Sequence, residues 1–153
     1  MLFRSAEATL QLMKGVLGYH VIEEDGRRTR MGVHGGGPGK AIDVLVDPHA
    51  AAAVNGLGTV HHVAMAVATG DDQVRLREEL IRQGCKVTDV RDRCYFTSIY
   101  FREPGGVLFE IATMKPGFAI DEDPATLGTE LKLPPWEEPD RAEIERGLAP
   151  VRY

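Results

Sequence analysis

Several residue types and segments that identify large protein classes are scarce or missing in this sequence. Only two of the 153 residues are cysteines, Cys85 and Cys94, and the first residues lack the basic and apolar regions of a signal peptide. We therefore expect two free thiols and a cytoplasmic location. No apolar run approaches the roughly 20 residues that a membrane-spanning helix needs. The net charge of −5 provides no basic surface for nucleic acid.

What remains is the composition of an ordinary soluble domain. Apolar residues make up 43% of the chain and charged residues 27%. A chain of 153 residues is long enough for one domain with a full hydrophobic core.

The hydrophobic pattern predicts two main helices, seven strands and an irregular tail. The first helix has Ser5 as its N-cap and ends at Gly18. Strands are predicted over residues 19–23, 29–34 and 41–46, with a glycine-rich hairpin turn at 35–39 and an alanine-rich connector over 47–57. The second half predicts a strand over 58–67, a helix over 71–83 and strands over 86–90, 95–102 and 107–113. A proline-rich tail follows from residue 114, with one short helix over about 140–146.

The two halves of the chain are copies of one unit. Gly18 and Gly84, which end the two helices, are 66 residues apart, and the Pro-Gly turns before the last strands have the same spacing. Each half reads as a helix followed by three strands, and the second half has an additional first strand. In the first half that strand is missing or reduced to a stub over residues 2–4. Val44 matches Glu110 in this repeat, and Asp43 is expected to face the other way unless a bulge shifts it.

His62 and Glu110 occupy strands that belong to one unit. Residues alternate across a strand, so His62 shares a face with Ala64 and Ala66, whose small side chains leave room in front of the imidazole. Glu110 faces away from the apolar side of its own strand, and an unpaired buried carboxylate is costly. A His and a Glu on the open face of one sheet predict a metal site. A histidine that only makes structural hydrogen bonds is the alternative.

Two longer segments resemble a known family. The stretch GTVHHVA at 58–64 and the stretch VRDRCYFTSIYFREPGGVLFEIAT at 90–113 are similar to signatures of the hydroquinone-type ring-cleaving dioxygenases. The tail motifs PGF at 116–118 and LPPW at 133–136 resemble the same proteins. They belong to the vicinal oxygen chelate superfamily, with the glyoxalases, bleomycin-resistance proteins and extradiol dioxygenases. Members of the dioxygenase family are about twice as long and contain two modules, of which this chain resembles the C-terminal one.

The resemblance implies an α+β fold of paired βαβββ units and a metal held by two His and one Glu. Matched residue by residue, His62 and Glu110 are the ligands of Fe(II), with Mn(II) as the alternative ion. Such a site leaves coordination positions for a diol and for O2. The third ligand, a His near the family's N-terminus, has no counterpart here, and we do not expect His20, His34 or His49 to replace it.

The resemblance also implies that Tyr100, Arg93 and His61 lie around the substrate. The Tyr100 phenol would donate a hydrogen bond to a bound oxygen, and the Arg93 guanidinium would stabilise a phenolate. His61 would support the metal ligand or carry a proton. A core aromatic is the alternative for Tyr100, and a solvated loop charge is the alternative for Arg93. Cys94 is a candidate reactive thiol with no further support.

We therefore expect a glyoxalase/dioxygenase-like module over residues 1–113, made of half-units 1–46 and 58–113, and a tail over 114–153. The leading hypothesis is an Fe(II)-dependent ring-cleaving dioxygenase module for a hydroquinone or catechol-like aromatic, completed by a homodimer partner or an N-terminal module. The full signature over 93–110 favours this function. The missing ligand favours the alternative, a non-catalytic small-molecule binding protein of the bleomycin-resistance type. A metal lyase or isomerase of the glyoxalase type is the third hypothesis.

Overall fold

Each half of the chain folds as one strand, one helix and three further strands. The computed structural model describes residues 1–54 and 56–149. The first half contains β1 (Leu2–Phe3), α1 (Glu7–Gly15), β2 (His20–Asp25), β3 (Arg28–Gly32) and β4 (Ala41–Val46). The second half contains β5 (Val63–Val67), α2 (Gly70–Arg82), β6 (Arg91–Asp92), β7 (Thr97–Arg102) and β8 (Leu108–Thr113). The tail contains two 3-10 turns (Phe118–Ile120 and Glu138–Asp140) and α3 (Arg141–Gly147).

The strands form two four-stranded sheets of the same topology. Their orders are β1-β4-β3-β2 and β5-β8-β7-β6. In both sheets the first strand runs parallel to the last, and the remaining pairs are antiparallel. The predicted α+β fold of paired βαβββ units is therefore confirmed. The first strand of the first unit is a stub of two residues, as the repeat predicted.

The two units share one hydrophobic core. Side chains from α1, α2 and the inner faces of both sheets build it, and the fully buried ones include Met13, Met31, Leu80, Phe101 and Phe109. The face of each sheet opposite this core is called its open face below. Among the described residues, no helix has the length and hydrophobicity needed to cross a bilayer.

A buried carboxylate joins the two units. Glu103, which is 2% exposed, accepts hydrogen bonds from the backbone N–H groups of Gly105 and Val107, both at 2.8 Å. It also accepts one from the hydroxyl of Thr9 on α1. The turn between β7 and β8 is therefore fixed to the first unit, and a buried charge is satisfied by three donors.

Three local predictions are wrong. The N-cap of α1 is Ala6, whose carbonyl accepts the first helical bond, and not Ser5. The strand that carries the histidines begins at Val63, so both histidines precede it. No strand forms over residues 86–90, where one isolated bridge occurs. One backbone bond remains there, from the Thr88 N–H to the Tyr100 carbonyl at 3.0 Å. The Thr88 hydroxyl accepts the Tyr100 N–H at 3.0 Å, and Arg77 of α2 donates to the Thr88 carbonyl at 2.7 Å, so side chains take the other bonds of a ladder.

Asp43 lies on the open face of the first sheet, contrary to the prediction. The turn between β3 and β4 is longer than the turn between β7 and β8, so the 66-residue repeat does not extend through the last strand. Asp43 is two residues beyond the first pair of its hairpin, as Glu110 is in the second unit. Arg30 donates two hydrogen bonds to the Asp43 carboxylate, at 2.7 and 2.8 Å, and these lower the pKa of Asp43.

The predicted connector over 47–57 includes Asn55, which lies outside the described residues, and the tail prediction includes residues 150–153, which also lie outside them. The proposed division into residues 1–113 and 114–153 stays a prediction.

Candidate metal centre

Three neighbouring strands place the central residues of the site in one row. Glu110 on β8 lies opposite Ala64 on β5 and opposite Tyr100 on β7. All three point to the open face, because paired residues of adjacent strands project on the same side. The alternation read from the sequence therefore assigned these side chains to the correct face. Glu110 is only 4% exposed, so its carboxylate needs partners.

His62 is the first of these partners. It lies in the extended segment just before β5, two residues before Ala64, and its side chain is about one third exposed. The His62 Nε2 atom is 2.8 Å from Oε2 of Glu110. The structure thus brings together the two residues predicted as metal ligands.

Tyr100 and Arg93 extend this contact into a chain of side chains. The Tyr100 hydroxyl donates to Oε1 of Glu110 at 2.7 Å, which leaves Oε2 facing His62. Arg93 donates to the Tyr100 hydroxyl and to the Ser98 hydroxyl, both at 3.4 Å. The Arg93 guanidinium carbon also lies 5.4 Å from the centre of the Tyr100 ring, within the range of a cation–π contact. Tyr100 is thus not a simple core aromatic, and Arg93 is not a free loop charge.

His61 contacts the other nitrogen of His62. The Nδ1 atoms of the two rings are 2.9 Å apart, so one of them donates a hydrogen bond to the other. Which ring nitrogen carries the proton depends on whether Nε2 of His62 bonds to Glu110 or to a metal. If Nε2 donates to Glu110, then Nδ1 of a neutral His62 accepts from His61. If Nε2 binds a metal, the proton moves to Nδ1 and His61 becomes the acceptor.

The donor set fits part of a metal site. Ligands about 2.1 Å from a shared ion lie roughly 3 Å apart when they occupy neighbouring octahedral positions. The His62 Nε2 and Glu110 Oε2 atoms, 2.8 Å apart, have this separation. Imidazole and carboxylate are the donors of the 2-His-1-carboxylate sites that hold Fe(II). The hydrogen bond from Tyr100 orients the carboxylate in the way that supporting residues orient metal ligands.

A third ligand is not supplied by the described residues. Across residues 1–54 and 56–149, no three His, Cys, Asp or Glu side chains are grouped so that they could hold a metal ion. Within these ranges His20, His34 and His49 are not grouped with His62 and Glu110.

A polar pocket of about 260 Å³ opens in front of this chain of residues. His61, His62, Arg93 and Tyr100 line it, and so does Arg91, which sequence reasoning missed. The signal was present in Arg-Asp-Arg at 91–93, because residues two apart project to the same side of an extended segment. The two guanidinium groups make the pocket favourable for an oxyanion.

Cys94 does not have the environment of a reactive thiol. Partial burial raises the pKa of the Cys94 thiol, and the negative charges of Asp92 and Asp121 raise it further. The nucleophilic form of cysteine is the thiolate, so these effects disfavour reactivity at neutral pH.

Comparison with known proteins identifies a family model and several relatives that this chain resembles. The model of the Glyoxalase/Bleomycin resistance protein/Dioxygenase superfamily matches residues 2–111. A Bacillus subtilis (strain 168) protein named "Putative ring-cleaving dioxygenase MhqO" is 40% identical over 150 residues, which are 98% of this chain and 47% of that protein. The "Chlorohydroquinone/hydroquinone 1,2-dioxygenase" of Sphingobium indicum is 41% identical over 129 residues, which are 81% of this chain and 39% of that protein.

A solved structure gives the same relation. The crystal structure of a "putative dioxygenase from Bacillus subtilis subsp. subtilis str. 168" superposes on this chain with a TM-score of 0.92 at 39% identity, and the match covers 99% of this chain. The same match covers 48% of the solved chain. This protein therefore spans about half the length of the relatives that it matches. The family match extends over both βαβββ units and includes His62 and Glu110. The chain therefore belongs to the glyoxalase/bleomycin resistance protein/dioxygenase superfamily.

Proposed function

We propose that this chain is a module of an Fe(II)-dependent ring-cleaving dioxygenase that acts on a hydroquinone or catechol-like aromatic. Mn(II) is the alternative ion. The observation that carries the proposal is the continuous chain Arg93–Tyr100–Glu110–His62 on the open face of the second sheet. Relatives named as ring-cleaving dioxygenases and as a hydroquinone dioxygenase support this reaction type.

The proposed roles follow from the contacts. His62 Nε2 and Glu110 Oε2 would hold the metal, and a bound Fe(II) would supply open positions for a diol or phenolate and for dioxygen. Tyr100 keeps the Glu110 carboxylate in one orientation through its hydrogen bond to Oε1. Arg93 brings a positive charge to the phenol oxygen of Tyr100 and would stabilise negative charge on an aromatic oxygen. His61 would accept a hydrogen bond from the Nδ1–H of His62 when Nε2 binds the metal.

The site needs a further ligand and cover from a partner. Two protein donors hold a first-row ion weakly, and the described residues add no third. On the open face of the second sheet, Ala64 and Ala66 are exposed, so a second module could pack there. We propose that a second module, either another copy of this chain or a matching N-terminal module, supplies both.

A second candidate function has one observation in its favour. With no third ligand among the described residues, the same open face would serve a small-molecule binding protein of the bleomycin-resistance type. The glyoxalase-type lyase or isomerase is not separately favoured, because the described residues that line the pocket with Arg93 and Tyr100 include Arg91 and no second carboxylate.

The first experiment measures metal binding under anaerobic conditions. Titration of Fe(II) or Mn(II) into the wild type and into His62→Ala should show binding that the substitution abolishes. His34→Ala is the matched control, since His34 lies in the glycine-rich turn, and it should bind metal as the wild type does. Equal uptake by wild type and His62→Ala would remove the metal assignment.

The second experiment measures oxygen consumption with hydroquinone. The isolated chain should consume little, and addition of a matching N-terminal module with Fe(II) should start the reaction. An iron-loaded, reconstituted sample that consumes no oxygen with any aromatic diol would favour the binding protein instead.

A further inference from the structure

Arg91 lines the polar pocket from the edge of the second sheet. It belongs to β6, the last strand in the order of that sheet, and lies opposite Ser98 of β7. Ser98 and Tyr100 are two residues apart in β7, so Arg91 projects from the same open face as Tyr100. The Arg91 side chain is exposed and lines the polar pocket together with His62, Arg93 and Tyr100.

The positive charge of Arg91 has no carboxylate partner in the described part of the chain. The two acidic residues nearest to it in sequence make other contacts. Asp89 accepts a hydrogen bond from Arg77 of α2 at 2.7 Å. Asp92 projects to the other side of β6 and accepts the backbone N–H of Cys94 at 2.8 Å. Arg91 is therefore available to pair with an anionic group of a ligand.

Arg93, the other guanidinium group of the pocket, already has partners within the site. It donates to the Tyr100 hydroxyl and to the Ser98 hydroxyl, both at 3.4 Å. The described residues that line the polar pocket include these two arginines and no carboxylate. Glu110 lies on β8, two strands away from β6, which is roughly 10 Å across the sheet. The negative charge of Glu110 and the positive charge of Arg91 are thus at separate ends of the site.

We propose that Arg91 determines substrate specificity by binding a carboxylate substituent of the aromatic substrate, while the ring hydroxyls face His62 and Glu110. This inference rests on the proposed function and specifies its substrate class as dihydroxybenzoates. A guanidinium group donates two parallel hydrogen bonds to a carboxylate, and such charged bonds are stronger than neutral ones. The separation of two strands keeps the substrate carboxylate away from that of Glu110.

The test measures ligand binding to the metal-free chain, since every residue of the proposal belongs to this chain. The protein is titrated anaerobically with 2,5-dihydroxybenzoate and with 2,5-dihydroxybenzamide, which has nearly the same shape and no charge. Binding is followed by NMR of the backbone amides and the guanidinium N–H groups. An ion pair in a partly exposed pocket is screened by water, so the benzoate should bind about five- to tenfold tighter than the benzamide. Benzoate, which lacks the two hydroxyls, should bind more weakly than 2,5-dihydroxybenzoate.

Ionic strength separates the charge of the ligand from its shape. Raising the NaCl concentration from about 0.05 M to about 0.5 M should weaken the binding of 2,5-dihydroxybenzoate severalfold, because salt screens an exposed ion pair. The affinity for the neutral benzamide should not change. The same salt effect on both ligands would contradict an ion pair with the substituent.

Variants of two arginines test whether the preference depends on Arg91. Arg91→Gln removes the charge and should reduce the preference for the benzoate over the benzamide to less than about twofold. Arg91→Lys should restore part of it, because the ammonium keeps the charge and loses the two parallel donors. Arg102→Gln is the matched control. Arg102 is two residues beyond Tyr100 on the same face and is also exposed, but it does not line the polar pocket, so this variant should keep the preference.

The outcomes are distinct from those that test the dioxygenase. No binding of any probe at millimolar concentration, equal affinity for the benzoate and the benzamide, a preference that survives Arg91→Gln, or the same loss in Arg102→Gln would each overturn the proposal. Benzoate that binds as tightly as 2,5-dihydroxybenzoate would also overturn it, because the hydroxyls would then make no contact. A preference that depends on Arg91, in a protein that never consumes oxygen, would retain the carboxylate site and reject the dioxygenase reaction.

Discussion

Replacing Tyr100 with phenylalanine tests the hydrogen bond that orients the candidate metal ligand. The substitution removes one oxygen atom and keeps the ring, which packs edge-on against His62 with ring centres 6.0 Å apart. It therefore isolates the bond from the Tyr100 hydroxyl to Oε1 of Glu110, which is 2.7 Å long. We expect Tyr100→Phe to lower the free energy of unfolding of the metal-free protein.

The magnitude follows from the burial of the acceptor. Glu110 is 4% exposed, so water cannot fully replace the lost donor. A hydrogen bond to a charged group contributes about 1.5–3 kcal/mol, and we expect a loss of about 2 kcal/mol. For a domain of this size that loss lowers the melting temperature by about 4–8 °C. Urea denaturation followed by far-UV circular dichroism measures the free energy directly.

Tyr95→Phe is the matched control. Tyr95 also donates its hydroxyl to a carboxylate, that of Asp121, at 3.0 Å, but this bond is exposed to solvent. Its loss should change the free energy of unfolding by less than about 0.5 kcal/mol. If Tyr100→Phe is as stable as the wild type, or if the two variants lose the same amount, the proposed role of Tyr100 is wrong. In the reconstituted enzyme Tyr100→Phe should slow oxygen consumption with iron still bound, and complete loss of iron would contradict the assignment.

Three further predictions concern stability and assembly. The hydrogen bonds from Arg30 lower the pKa of Asp43 in the folded protein. The Asp43 carboxylate therefore stabilises the fold at pH values above the unfolded carboxyl pKa of about 3.9. This stabilisation is lost as the pH falls through the folded pKa. Asp43→Asn should therefore flatten the acid side of the stability profile measured by thermal melts between pH 2 and pH 6. Gly105→Ala should lower the free energy of unfolding by about 1–3 kcal/mol, because the added Cβ would overlap the Phe3 ring. Gly15→Ala is the control, since no atom lies within 4 Å of the added Cβ, and it should not destabilise the protein in the same denaturation assay. Light scattering should give a mass above 16.8 kDa, and a clean monomer at micromolar concentration would count against the partner that we propose.

The pairing of His62 with Glu110 could be predicted because it depends on local rules. Side chains alternate along every strand, and the two strands are the first and the last strand of one repeated unit. The sequence therefore identified the face of both side chains and the small residues beside them. The distance of 2.8 Å between them required the parallel register of β5 and β8, which no local pattern specifies.

Two errors in the sequence analysis have different causes, namely side chains that compete with the backbone and hairpin turns of unequal length. Residues 86–90 have the composition of a strand, but the Thr88 hydroxyl and Arg77 take the hydrogen bonds that a ladder would use. Asp43 was assigned to the wrong face because a constant repeat of 66 residues cannot account for two turns of different length. The first effect depends on contacts with α2 and β7, and the second depends on how many residues each hairpin turn contains.

The sequence by itself determined the family, the repeated unit and the identity of the two candidate ligands. These follow from residue types, from alternation and from a motif, and all three are properties of short stretches. Only the tertiary structure decided that Tyr100 bonds to Glu110, that Arg91 joins Arg93 in a polar pocket, and that Phe118 faces three alanines of the sheet. These contacts join side chains from separate strands and from the tail. They form only when the packing of the core brings those segments together, and the pattern within any one segment does not encode them.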